Sequence, residues 1–118
     1  MGDRRPARGV RLPPALAARA TQQVLELLGE PPGRVLELGF AGIHATPLRL
    51  AGFEVVVVEP DPAHREHARQ RAGAALDAAP AERFDVVVAP EDADLSGLAA
   101  RRVIRVGHDG SAWSATPP

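Results

Sequence analysis

Four short apolar runs constrain this chain more than anything else in it: Arg34 to Leu38, Phe53 to Val58, Phe84 to Ala89 and Arg101 to Val106. Helix-like stretches alternate with them, and the connections are too long for hairpins. That alternation argues for a parallel sheet with right-handed crossovers. Val55 to Val58 is an unbroken valine run, which suits a strand covered on both faces. The expectation is an α/β fold: a three-layer sandwich with a mostly parallel sheet of four or five strands.

The segments between the runs carry their own punctuation. Pro13-Pro14 opens a helix on which Leu16, Ala20, Val24, Leu27 and Leu28 recur at helical spacing; Gly29 and Pro31-Pro32 stop it. Gly39 to His44 reads as a loop and Ala45 to Ala51 as a short helix, with Pro47 tolerable in its first turn. Asp61-Pro62 starts a helix running to about Ala72, because the carboxylate can accept from free backbone amides and Pro fits the first helical position. Ala74 to Leu76 is expected as a very short strand, and Leu95 to Ala100 as one or two helical turns. His108-Asp109-Gly110 is a turn signal that would fold the tail back toward Trp113. The division expected is an Arg-rich disordered tail over residues 1–12, one domain over 13–107 and a C-terminal tail over 108–118.

Composition narrows the function. The 118 residues suit one domain, without room for a separate substrate domain. A formal net charge of −1 gives no field to draw nucleic acid or anionic membrane, and 3% aromatics are too few for a base-stacking platform. With no cysteine, disulfides and thiolate metal sites are excluded. No apolar run approaches the roughly 20 residues of a membrane span, and no apolar stretch follows the N-terminal arginines as in a secretory signal. A cytoplasmic location is the expectation. His64 and His67 share a helix face, but no further metal ligand stands near them in the sequence.

In open α/β sheets, ligands bind beyond the carboxyl ends of the strands. Here that place is the Gly39–His44 loop. Glu37 lies near the end of the first run and Glu59 ends the second. Gly39 and Gly42 let backbone approach a ligand closely, and the following helix offers free N–H groups. Glu59 is placed to accept both hydroxyls of a ribose. Glu37 stands among Val35, Leu36 and Leu38, so its carboxylate needs a donor or a cation. A ligand ammonium would supply one; so would loop amides. His44, at the loop-to-helix junction, fits a ligand carboxylate, a cap or an exposed position equally.

The segments VLELGFAGIHATPLRLAGFEVVVVEPDP and ERFDVVVAP resemble class I S-adenosylmethionine-dependent methyltransferases over about two-thirds of the chain. That family has an acidic residue followed by a glycine-rich loop after its first strand, an acid closing the second, and a Phe-Asp-hydrophobic run opening the fourth. The resemblance implies a Rossmann-like fold with S-adenosylmethionine as cofactor. It implies cofactor contacts from Glu37, Gly39, Phe40, Ala41 and Gly42, a ribose contact from Glu59, and an adenine contact from Asp77. Phe84-Asp85-Val86-Val87 matches the fourth-strand opening.

The departures shape the expectation. The family's second and third loop glycines fall on Ala41 and Ile43. A left-handed Ala41 would cost on the order of 1 kcal/mol, and Ile43 more. A dinucleotide fingerprint would need Gly at position 41 and Gly or Ala at 44, so only Gly39 fits it. No Asn-Pro-Pro-Tyr follows the fourth strand; Glu91, Asp92 and Asp94 stand there instead, as a candidate base, a cation site or a solvated loop. The resulting reading is a methyltransferase-like protein with an unknown acceptor, its site completed by a homodimer mate or partner protein. The alternatives are a degenerate, non-catalytic interaction module, or a binder of another adenosine nucleotide.

Overall fold

A computed structural model describes residues 12–116. The expected Arg-rich tail therefore lies outside the described residues, except Leu12, which packs against the core. The chain runs α1 (Pro14–Leu28), β1 (Arg34–Leu38), α2 (Ala45–Leu50), β2 (Glu54–Val58), α3 (Pro62–Ala72), β3 (Arg83–Pro90), β4 (Ala99–Val106) and β5 (Ala112–Ala115). The sheet order is β2-β1-β3-β4-β5. The first four strands pair in parallel and β5 returns antiparallel to β4. The fold is thus α/β, with a five-stranded, mostly parallel sheet.

Each strand divides its side chains between two cores. Val35, Val55, Val57, Val86, Val88, Ile104 and Val106 join the buried residues of all three helices: Ala20, Val24 and Leu28 from α1, Ala45 and Leu48 from α2, Ala68 and Ala72 from α3. Leu36, Val58, Phe84, Val87, Ala89 and Val103 form the second core. No described helix contributes to it; Ala79, Ala93, Leu95 and Leu98, from the segments flanking β3, cover it instead. The alternation along β1 and β2 explains why an unbroken apolar run was needed there: both faces are dry.

Three segments differ from the sequence reading for local reasons. Leu95 to Ala100 is not helical. The Asp94 carboxylate accepts from the Ser96 N–H at 3.0 Å and from its hydroxyl at 2.8 Å. Gly97 then takes φ +85°, so a turn closes and β4 begins at Ala99. Side-chain acceptors of this kind compete with helix formation. Ala74 to Leu76 contributes a single parallel bridge, Val58 to Leu76, rather than a strand. The segment 108–118, expected as a tail, supplies β5: the turn at Gly107–Ser111 brings Trp113 opposite Arg105.

The start of α3 sets the position of everything that follows β2. Asp61 caps it, its carboxylate accepting from the Ala63 N–H at 2.9 Å, and Pro62 occupies the first turn. Replacing Asp61 by Ala should lower stability by about 1 kcal/mol, whereas Asn should retain most of the cap. Urea unfolding of the two variants beside the parent chain measures the difference.

Candidate functional site

At the carboxyl ends of β1 and β2, the chain makes a bend that no run of ordinary residues would adopt. Gly39, Ala41 and Gly42 all have positive φ, at +82°, +51° and +77°. Ala41 is the one non-glycine residue in that region among the described residues. The strain expected at Ala41 is real, whereas Ile43 is spared it because Gly42 takes the left-handed position. Gly42 also lies against α3: a Cβ there would stand 3.4 Å from the Ala68 carbonyl oxygen.

Two buried carboxylates hold this bend. Glu59 has 0% exposure, and its two oxygens accept from the Ala41 N–H at 2.9 Å and the Asp61 N–H at 3.1 Å. Glu37, also 0% exposed, accepts from the His44 N–H at 2.7 Å through Oε2. Its Oε1 has no partner among the described residues. Of the two origins considered for a donor to Glu37, the structure supplies the loop amide. Burial pushes its pKa up from an ordinary 4.5 to about 7, the His44 amide opposing.

His44 is neither a side-chain cap nor exposed. It begins α2 without a side-chain cap, and its ring is buried against α1 and Phe40. The Thr21 hydroxyl lies within hydrogen-bond distance of both the Ala17 carbonyl, at 2.9 Å, and His44 Nδ1, at 2.6 Å. Which of Thr21 and Nδ1 donates is set by the imidazole tautomer. Nε2 is buried without a partner among the described residues. Desolvation brings the imidazole pKa down from 6.5 to about 4.

A cavity of about 330 Å³ opens beside the bend. Gly39, Phe40, Ala41 and Ile43 wall one side, Glu59 lies at its floor, and His64, His67 and Arg71 line it from α3. Arg71 also donates to the Ala41 carbonyl at 3.1 Å, and Arg65 braces the chain below by donating to the Glu59 and Pro60 carbonyls, each at 2.9 Å. Glu59, Gly39, Phe40 and Ala41 are thus brought together. Glu37, Gly42 and Asp77 are not in the cavity wall. Glu37 points with the odd-numbered residues of β1 toward the helical core, and Asp77 is exposed just past the Leu76 bridge. Glu91, Asp92 and Asp94 are also outside it: Glu91 faces His108 at 3.5 Å, and Asp94 holds the Ser96 turn, whose hydrogen bonds keep its pKa low. Asp85 accepts from the Arg34 N–H at the opposite rim.

The α3 contribution is what the sequence reading missed. His64, His67 and Arg71 stand at spacings of three and four, so one face of the helix presents all three. Only the packing of α3 on the bend turns that face into a cavity wall. Among the described residues, no cluster of His, Asp or Glu is arranged to hold a metal ion, and no helix is long and apolar enough to cross a membrane.

Two outcomes test this geometry. Ala41→Gly should relieve backbone strain and raise stability by up to about 0.5 kcal/mol, once the greater freedom of glycine in the unfolded chain is offset, as urea unfolding measures. The buried pair predicts a cancellation. A raised Glu37 pKa makes stability fall as pH rises from 4.5 toward 7, while a lowered His44 pKa makes it rise as pH rises from 4 toward 6.5. In the parent chain the two slopes oppose. Glu37→Gln should therefore gain stability relative to the parent across this window, and His44→Gln should lose it, each by on the order of 2–3 kcal/mol. Urea midpoints at pH 4.5, 5.5 and 6.5 would show divergent curves; parallel ones would refute the assignment.

No family model matches this chain, and no curated protein matches it.

Proposed function

We propose that this chain is an S-adenosylmethionine-binding, methyltransferase-like protein of Rossmann-like, three-layer type, with loops in place of helices over the second core. One observation carries the reading. The acid that ends β2 and the glycine bend that follows β1 meet in a single cavity of about 330 Å³ at the carboxyl rim. That volume falls at the lower end of the range for small-molecule sites. Counting the Leu76 bridge as a residual strand outside β2 gives the order expected of a Rossmann sheet, with the ligand edge at the strand carboxyl ends.

At the adenosyl end the reading rests on Glu59 and the bend beside it. Glu59 keeps lone pairs for ribose hydroxyls beyond the two amides it accepts. Its full burial means that the Phe40–Ile43 bend must yield before a hydroxyl reaches it. At the other end, the partnerless Oε1 of Glu37 is an acceptor that an ammonium would satisfy, after the same movement. When bound, the sulfonium of this cofactor brings its methyl group already activated, so the protein's part is alignment and exclusion of water. A homodimer mate or partner chain would complete the acceptor side.

A second reading has its own support. Both Glu59 oxygens are already held by backbone amides, and the bend is closed over them. A non-catalytic module with a retained fold would look the same.

Titration calorimetry separates the readings. The first expects micromolar binding of S-adenosylmethionine and S-adenosylhomocysteine, at least tenfold weaker binding of NAD and ATP, and a loss of tenfold or more in Glu59→Gln. Absence of binding at millimolar ligand, by a chain with an intact thermal transition, would establish the second. Preference for NAD or ATP would assign a different adenosine nucleotide to the same cavity.

A further inference from the structure

The cavity is lined from α3 by an arginine and two imidazoles, groups that a cationic adenosyl sulfonium does not call for. We propose that the face of α3 bearing His64, His67 and Arg71 is an anion subsite, which takes a phosphate group at the ribose side of the bound ligand. The ribose placement rests on the adenosyl reading above; the phosphate subsite does not.

The argument starts from charge and partners. Arg71 lines the cavity and donates one N–H to the Ala41 carbonyl at 3.1 Å, and its other donors have no partner among the described residues. His67 is exposed and makes no hydrogen bond among the described residues. His64 lines the cavity, and its Nδ1 stands 3.5 Å from the Asp61 carboxylate, which can steady the ring. Arg65 is turned away, onto the Glu59 and Pro60 carbonyls. The acid in the wall, Glu59, is at the floor with 0% exposure, and both its oxygens accept backbone N–H bonds. Beside the apolar Leu12, Phe40 and Ile43, the polar side chains left to line the volume among the described residues are an arginine and two imidazoles.

Phosphate is the chemistry that answers such a set. It accepts several bonds at once from a guanidinium fork and from ring N–H groups. Once the bend yields, hydroxyls on the same ligand would meet Glu59, so a sugar phosphate answers both groups. The phosphate arrives in one of two ways: on the nucleotide itself, or on a second substrate beside it.

The experiment uses the full chain and three probes. Calorimetry compares adenosine with its 2′-, 3′- and 5′-monophosphates. Inorganic phosphate is titrated alone, and again with S-adenosylhomocysteine present, while the ring signals of His64 and His67 are followed by NMR. At least one monophosphate should bind tenfold or more tightly than adenosine, and that ratio should fall toward one in Arg71→Gln with His67→Gln. His67→Gln alone carries the test should the double variant not fold, because its ring anchors nothing described. If phosphate instead shifts the two rings only beside S-adenosylhomocysteine, the anion belongs to a second substrate. If phosphate shifts the rings while no nucleoside binds, the subsite stands and the nucleotide reading fails. If adenosine and its phosphates bind equally and phosphate leaves the rings unmoved, the subsite is wrong and the nucleotide reading survives. Silence from every probe overturns both.

Discussion

The bend between β1 and α2 exists because two buried carboxylates need donors and the bend has amides to give. Glu37 takes the His44 N–H, and Glu59 takes those of Ala41 and Asp61. A carboxylate left bare in a dry core would be far more costly than the strain needed to reach it. Placing Ala41 at φ +51° costs on the order of 1 kcal/mol. A hydrogen bond to a charged acceptor returns about 1.5–3 kcal/mol, so the strained geometry wins. The same exchange fixes where α2 and α3 start, and hence where the cavity lies.

That balance also bears on ligand access. Ala41 is held from both sides, its N–H by Glu59 and its carbonyl by Arg71. A hydroxyl approaching Glu59 meets a bend already bonded to the acceptor it seeks. Binding there is an exchange of hydrogen bonds rather than a gain of them, and its net strength depends on what else the ligand touches. The α3 face is where such additional contacts are on offer.

Much of this was legible in the sequence. The Val run, the Asp61-Pro62 cap and the Gly39-to-Gly42 bend are local signals, and each produced the element it indicated. The strained alanine followed from register alone. The rest depended on neighbours far along the chain. Leu95 looked helical until the Asp94 carboxylate was seen to accept from Ser96 two residues on. The fate of His44 depended on Thr21, 23 residues before it. The position of Glu37 on the rim was readable, whereas the direction of its side chain toward the helical core was not. His64 and His67 stood out as a pair, but Arg71 joined them only once α3 lay against the bend.

The second core shows how so short a chain manages with helices on one side. The chain has no lysine, and among the described residues five arginines, Arg49, Arg65, Arg71, Arg102 and Arg105, donate to main-chain carbonyls. Arg105 ties down the segment after β3 through the Pro90 and Ala93 carbonyls, at 2.8 and 2.7 Å, where a covering helix is missing. Arg102 reaches the Leu27 carbonyl in the last turn of α1, and Arg49 the Ala72 carbonyl that ends α3. The last carbonyls of a helix have no intrahelical partner, and a planar fork with several donors can serve two at once. An ammonium has three donors but no fixed fork, and holds such pairs less well. Arginine here does for loops and helix ends what additional secondary structure does in a larger domain. Arg71 is one of this set, which is why a cation at the cavity wall already has a fixed position before any ligand arrives.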